Sequence, residues 1–202
     1  MNTLLPAGLT GLTDLSLNEV TFEQKGKSFI QMADFITADD TFELELNGKT
    51  STEGINEAKF GTGKARKIAY SLGLIPDSSD DVEGLDLLKA KVVASLPEGW
   101  EYSEIFKEEV IYLKLKTTKD GKRFTNHSNV KIDPKKVTSA PLSRGQTVVA
   151  TVEPKAWYNL ADKKAGISFN VINLEFEEIT QPAKKLKSVE ESAPSAKKIK
   201  SV

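Results

Sequence analysis

The chain has 202 residues, 39% hydrophobic and 28% charged, the balance of a water-soluble fold with a sizeable core. It holds no cysteine and one histidine, which excludes disulfides, thiolate nucleophiles, iron–sulfur clusters and cysteine- or histidine-rich metal centres. The net charge of −1 hides an asymmetry: residues 1–100 carry 9 basic and 16 acidic side chains, residues 101–202 carry 19 and 13, and a basic half of this kind points to a polyanionic partner.

The opening stretch, MNTLLPAGLTGLTDLSL, has no basic lead and no long apolar run, so a loosely structured lead-in is expected rather than a signal peptide. No later segment approaches the ~20 apolar residues of a membrane span, and an intracellular protein without a membrane partner is expected. SFIQMADFITADDTFELELNG then predicts two strands, at about 28–37 and 41–47, rich in Phe and Ile. Residues 54–96 form the expected helical insertion. EAKFGTGKARKIAYSLGLI supplies one helix. DDVEGLDLLKAKVVASL supplies another, with Asp81 as N-cap and Leu85, Leu88, Val92 and Leu96 on one stripe. FGTGKA lacks the spacing of a nucleotide phosphate loop. DSSDDVEG puts Leu88 where a calcium loop needs Glu.

From 104 to 179 the pattern is that of strands. Asp120-Gly121 is a two-residue hairpin turn, because a type I′ turn needs positive φ at both central positions. Register from that turn puts Ile111, Leu113, Leu115, Phe124, Val130 and Ile132 on a core face. The opposite face gathers Tyr112, Lys114, Lys116, Arg123, Thr125, His127, Asn129 and Lys131, without an acidic residue. His127 has no nucleophile or carboxylate at a recognisable spacing, and no enzyme signature is present. A one-sided sheet lined with cations and a ring suits a single nucleic-acid strand: Lys and Arg neutralise phosphates, and the ring stacks on an unpaired base. An ordinary solvated face is the plainer alternative.

A second hairpin follows, GQTVVATVEPKAWYNL and AGISFNVINLEFEE, joined by a short loop with Lys163 and Lys164. If register survives Pro154, then Lys155 and Trp157 face outward while Tyr158 faces the core. Packing of Trp157 in the core is the alternative. Ile167, Phe169 and Val171 share one parity and Ile172, Leu174 and Phe176 the other, a change of phase that predicts a β-bulge. The expected fold is mainly β with a helical insertion (α+β). Its form is an OB-like, partly open Greek-key β-barrel over residues 1–180, followed by a disordered basic C-terminal tail at 181–202.

SRGQTVVATVEPKAWYNLADKKAGISFNVINLEF resembles the C-terminal hairpin of the single-stranded DNA-binding proteins of bacteriophages and other DNA viruses, through Gly145, Val148, Trp157, Gly166, Ile167 and Ser168. The resemblance covers about 35 residues. It implies an OB-fold protein, not an enzyme and without a cofactor, that coats exposed strands during replication or recombination. Its partners would be single-stranded DNA, with RNA as the next candidate, and replication proteins. Residues expected to stack are Tyr112 and Trp157 and, ranked after them because the register places it on the core face, Phe124. Those expected at phosphates are Lys114, Lys116, Lys122, Arg123, Lys131, Lys155, Lys163 and Lys164. The rival expectation is a structural or interaction component of a virion or replication assembly, in which an acidic and a basic half meet.

The chain closes on two heptapeptides that differ at one position, AKKLKSV and AKKIKSV, with Lys184, Lys185, Lys187, Lys197, Lys198 and Lys200. Many proteins of the resembled family end instead in an acidic tail that recruits partners, so that role is not carried over. K-K-x-K beside proline resembles a nuclear-import signal, so the expected location is the host cytoplasm or, for a eukaryotic host, alternatively the nucleus; a solubilising end with no partner is the plainer alternative. Tethered cationic clusters would also add avidity for phosphates.

Overall fold

The longest strands, β9 (Thr147–Asn159) and β10 (Lys164–Phe176), form the hairpin around which the other elements are arranged. They belong to a computed structural model of the full chain, which describes residues 3–5, 15–23, 29–37, 40–51, 55–60, 67–115 and 142–176. The remaining elements are β1 (Thr3–Leu5), β2 (Leu15–Leu17), β3 (Ile30–Thr37), β4 (Asp40–Thr50), β5 (Asn56–Phe60), β6 (Lys67–Pro76), α1 (Ser79–Ala94), β7 (Glu101–Tyr102) and β8 (Ile111–Leu115). The described chain is mainly β with one helix.

Side chains along β9 alternate without interruption. Val148, Ala150, Val152, Pro154, Ala156 and Tyr158 are buried, while Val149, Thr151, Glu153, Lys155 and Trp157 are only partly covered on the other face. Register survives Pro154 for a reason visible in the pairing. β4 runs beside β9 as far as Val152 and β3 takes over from Lys155, so the residue that cannot donate a ladder hydrogen bond sits where the neighbouring strand changes. The bulge in β10 lies between Val171 and Asn173. Ala165, Phe169 and Val171 are buried before it and Leu174 after it, which restores the apolar parity to the core.

Five strands make a ring in which each has two neighbours: β4 with β9, β9 with β10, β10 with β8, β8 with β6, and β6 with β4. Every pair is antiparallel except β8–β10. The ring encloses a core that includes Leu44, Leu46, Leu72, Leu74, Ile111, Leu113, Tyr158 and Phe169, each at most 2% exposed. Burial of side chains of this size contributes about 1.5–3 kcal/mol apiece. At one end, the loop entering β9 is fastened to β4: Gln146 donates its N–H to the Thr50 hydroxyl at 3.1 Å and accepts from Ser143 N–H at 2.9 Å, and Thr50 donates to the Ser143 carbonyl. Both Thr50 and Gln146 are buried, so these bonds set the register in which β9 starts beside β4.

Four expectations about the first half are corrected. The expected first helix is the hairpin β5–β6: Tyr70, Leu72 and Leu74 point to the core and Ala69, Ser71 and Ile75 away, a period of two rather than 3.6. The helical insertion of 54–96 narrows to α1, whose stripe of Leu85, Leu88 and Val92 is buried as expected, with Leu96 packed beside the core just past its end. The N-cap is Ser78, whose hydroxyl accepts from Asp80 N–H at 3.0 Å, rather than Asp81. The lead-in is not wholly irregular either, since β1 pairs with β4 and Leu15 of β2 is buried. Among the described residues no helix is long and apolar enough to cross a membrane. The Asp120-Gly121 hairpin and the repeated tail lie outside the described residues.

Asp81 instead joins helix to sheet: its Oδ2 accepts the backbone N–H of Asn47 in β4 at 3.2 Å, and the side chain is buried. Burial raises its pKa; the Asn47 hydrogen bond opposes this, and Asp80, Asp77 and Glu45 add to the rise. A carboxyl whose folded pKa exceeds its unfolded value loses stability as pH rises through the window between the two, then stays at the lower level. Asp81→Asn keeps an oxygen for Asn47 and carries no charge. It is therefore expected to melt higher than wild type at pH 7 and to lose that advantage at pH 3, in calorimetric scans at both pH values. A variant that is less stable at pH 7 would show that the charge at the helix N-terminus outweighs burial.

Candidate nucleic-acid interface

Directly opposed residues in a sheet share a face, so register defines which side chains meet on the outer surface of the ring. One cross-strand row runs Met32 (β3), Trp157 (β9), Gly166 (β10). The next toward one end runs Ile30, Asn159, Lys164; toward the other end lie Asp34, Lys155, Ser168 and then Glu153, Asn170, Lys114, Ser71. Tyr112 stands two residues from Lys114 on the same face of β8, 44% exposed.

Trp157 is held outward by the alternation of β9 and does not enter the core. Its indole lies across Gly166: a Cβ there would come within 2.7 Å of the ring. The other tryptophan, Trp100, packs edge-on against Phe22 and Tyr158, with ring centroids 5.0 and 6.4 Å away. The Tyr158 hydroxyl meets Ser95 Oγ at 2.9 Å at the end of α1. One tryptophan therefore belongs to the packing and the other to the surface.

The lysines divide in the same way. Lys155 Nζ is 2.8 Å from Asp34 Oδ1 and 3.1 Å from Glu153 Oε1. Burial alone would lower its pKa, but the hydrogen bonds and charges of these two carboxylates raise it. Two acids around one ammonium make the spot net negative. Lys164 opens β10 rather than lying in the loop, and its Nζ is 3.3 Å from Glu101 Oε2, both side chains being more than half exposed. A pair so open to water contributes about 0–1 kcal/mol and opens readily. Lys163 does lie in the loop, exposed, with φ +51. Lys114 makes no ion pair among the described residues, and desolvation lowers its pKa below the ordinary lysine value.

The structure thus brings Tyr112, Lys114, Lys155, Trp157 and Lys164 onto one surface. Lys116, Lys122, Arg123, Phe124, Lys131 and the tail lysines lie outside the described residues. Sequence reasoning missed Asp34 and Glu153 as partners of Lys155, and Met32 as the neighbour of Trp157. Glu153 was visible two positions before Lys155 on the same strand face, whereas Asp34 and Met32 come from a strand remote in sequence. Among the described residues no group of three or more His, Asp or Glu side chains is placed to hold a metal ion. No protein-family description, curated protein or solved structure matches the chain.

Proposed function

We propose that this chain is a single-stranded DNA-binding protein of viral or phage type that coats exposed strands, by binding without chemistry. The observation that carries the proposal is Trp157, kept outward over Gly166 on a sheet face that also presents Tyr112 and Lys114. An indole in this position offers a sequence-tolerant surface to an unpaired base, and base–aromatic stacking is worth about 1–3 kcal/mol. The ring of five strands with one parallel pair, an intervening helix and a bulged last strand supports an OB-type, partly open Greek-key barrel as its scaffold. The repeated lysine clusters of the tail would add phosphate capture to that of the folded face.

Titration with an oligodeoxythymidylate should quench the fluorescence of Trp157, and Trp157→Phe should abolish most of the change while Trp100 still emits. Affinity should fall with salt at a log–log slope of about −0.7 per phosphate contacted. Affinity for duplex DNA equal to or above that for the single strand would overturn the proposal. The rival reading, an interaction component of an assembly, draws on the exposed apolar side chains of Phe29, Ile30 and Met32. It is favoured if no oligonucleotide binds.

A further inference from the structure

Two of the most exposed large apolar side chains among the described residues belong to β3: Ile30 is 56% exposed and Met32 51%. They are not scattered. Register sets Met32 directly opposite Trp157, and sets Ile30 opposite Asn159, which in turn opposes Lys164. The indole reaches from β9 across Gly166 of β10, away from β3. Met32 thus stands on the side of Trp157 opposite to Gly166. A polarisable thioether at the edge of an aromatic platform packs well on a π-face, and its unbranched side chain adapts to bases of different size.

Charge separates this end of the surface from the other. The row of Met32 contains no carboxylate, and that of Ile30 ends with Lys164 opposite Glu101, with Asp162 hydrogen-bonded to Asn159 beside it, whereas in the rows beyond two carboxylates, Asp34 and Glu153, close on the one ammonium of Lys155. A phosphodiester approaching Asp34 and Glu153 meets net negative charge. Approaching Lys164, it meets an ammonium held only by an exposed ion pair with Glu101. Bases therefore find apolar surface and phosphates find a cation at the same end. We propose that Met32 and Ile30 extend the stacking platform of Trp157, so that an unpaired base of a single DNA strand seats on the Met32 thioether and the indole together. This inference rests on the single-strand reading and adds β3 to the interface.

The chain has two methionines, Met1 and Met32, so ε-methyl carbon-13 labelling of the full-length protein gives a spectrum that Met32→Ala assigns outright. Titration with an oligodeoxythymidylate should move the Met32 methyl resonance with the same midpoint as Trp157 quenching. Met32→Ala should weaken binding about two- to tenfold with little change in melting temperature, and Ile30→Thr should weaken it in the same direction. If quenching saturates while the Met32 methyl stays still and both variants bind as wild type, the inference fails and the single-strand reading stands. If no oligonucleotide binds by either probe, both fail. A Met32 resonance that moves with protein concentration alone, together with a doubled mass in sedimentation, would assign β3 to a contact between copies and overturn the inference.

Discussion

Gly48→Ala is expected to destabilise the protein by about 3 kcal/mol, at the upper end of what overpacking costs. Gly48 lies where β4 has β9 on one side and β6 on the other, opposite Val148 and Pro76. A Cβ at this position would stand 2.3 Å from the carbonyl oxygen of Ile75, 2.9 Å from its carbon and 3.0 Å from Leu74 Cγ. The first two are backbone atoms of a paired strand and cannot swing aside as a side-chain end could. To admit one methyl group, β4 must move off β6, and that is the pair that completes the ring. For a chain of this length the loss should lower the melting temperature by about 6–12 °C. Amide exchange at Lys49 and Asp77 should accelerate first, because their backbones lie at the β4–β6 junction. A variant that melts within 2 °C of wild type would mean that the junction yields where the packing says it cannot.

Trp157→Ala should weaken single-strand binding by about 1–3 kcal/mol, a factor of roughly 5 to 150 in dissociation constant. The residue is partly covered rather than buried, and it leaves the inner face of β9 untouched, so the fold should survive. The measurement is anisotropy of a labelled oligonucleotide at two salt concentrations. The salt slope should change little, since a stacking contact is lost and no phosphate contact goes with it. Trp157→Phe keeps an aromatic face and should recover part of the affinity. Unaltered binding in the alanine variant would remove Trp157 from the interface, and an unfolded alanine variant with a folded, fully active phenylalanine variant would assign the residue to packing.

What could be read from the sequence was local pattern. The alternation of β9, the phase change in β10 and the stripe of α1 are each contained within a few consecutive residues, and each is present in the structure. The β5–β6 hairpin was misread because small residues fill its outer face: Ala69, Ser71 and Gly73 separate Tyr70, Leu72 and Leu74, and a sequence of small and large residues suits either period. Ser78 lost the N-cap assignment to Asp81 through the acidic run that follows it, although Ser precedes the first helical residue as a cap should. At the site, the outward aim of Trp157 followed from parity, whereas the neutralisation of Lys155 depends on Asp34 in another strand. Cross-strand neighbours are set by topology, and a single sequence does not encode topology in any local period.

The pairing of β4 with β9 also has a consequence for how the protein is made. Leu44 meets Val152, about a hundred residues later in the chain. At a synthesis rate of about 5–20 residues per second, β4 leaves the ribosome roughly 5–20 s before its partner exists. During that interval the edge later matched by Thr147–Val152 is open to other strands, including those of a neighbouring nascent chain. Glu43 and Glu45, carried on β4 itself, put charge on the waiting edge, a common device against such pairing. Slower translation between residues 50 and 147 should lengthen the exposure and raise the aggregated fraction without altering the stability of the finished fold.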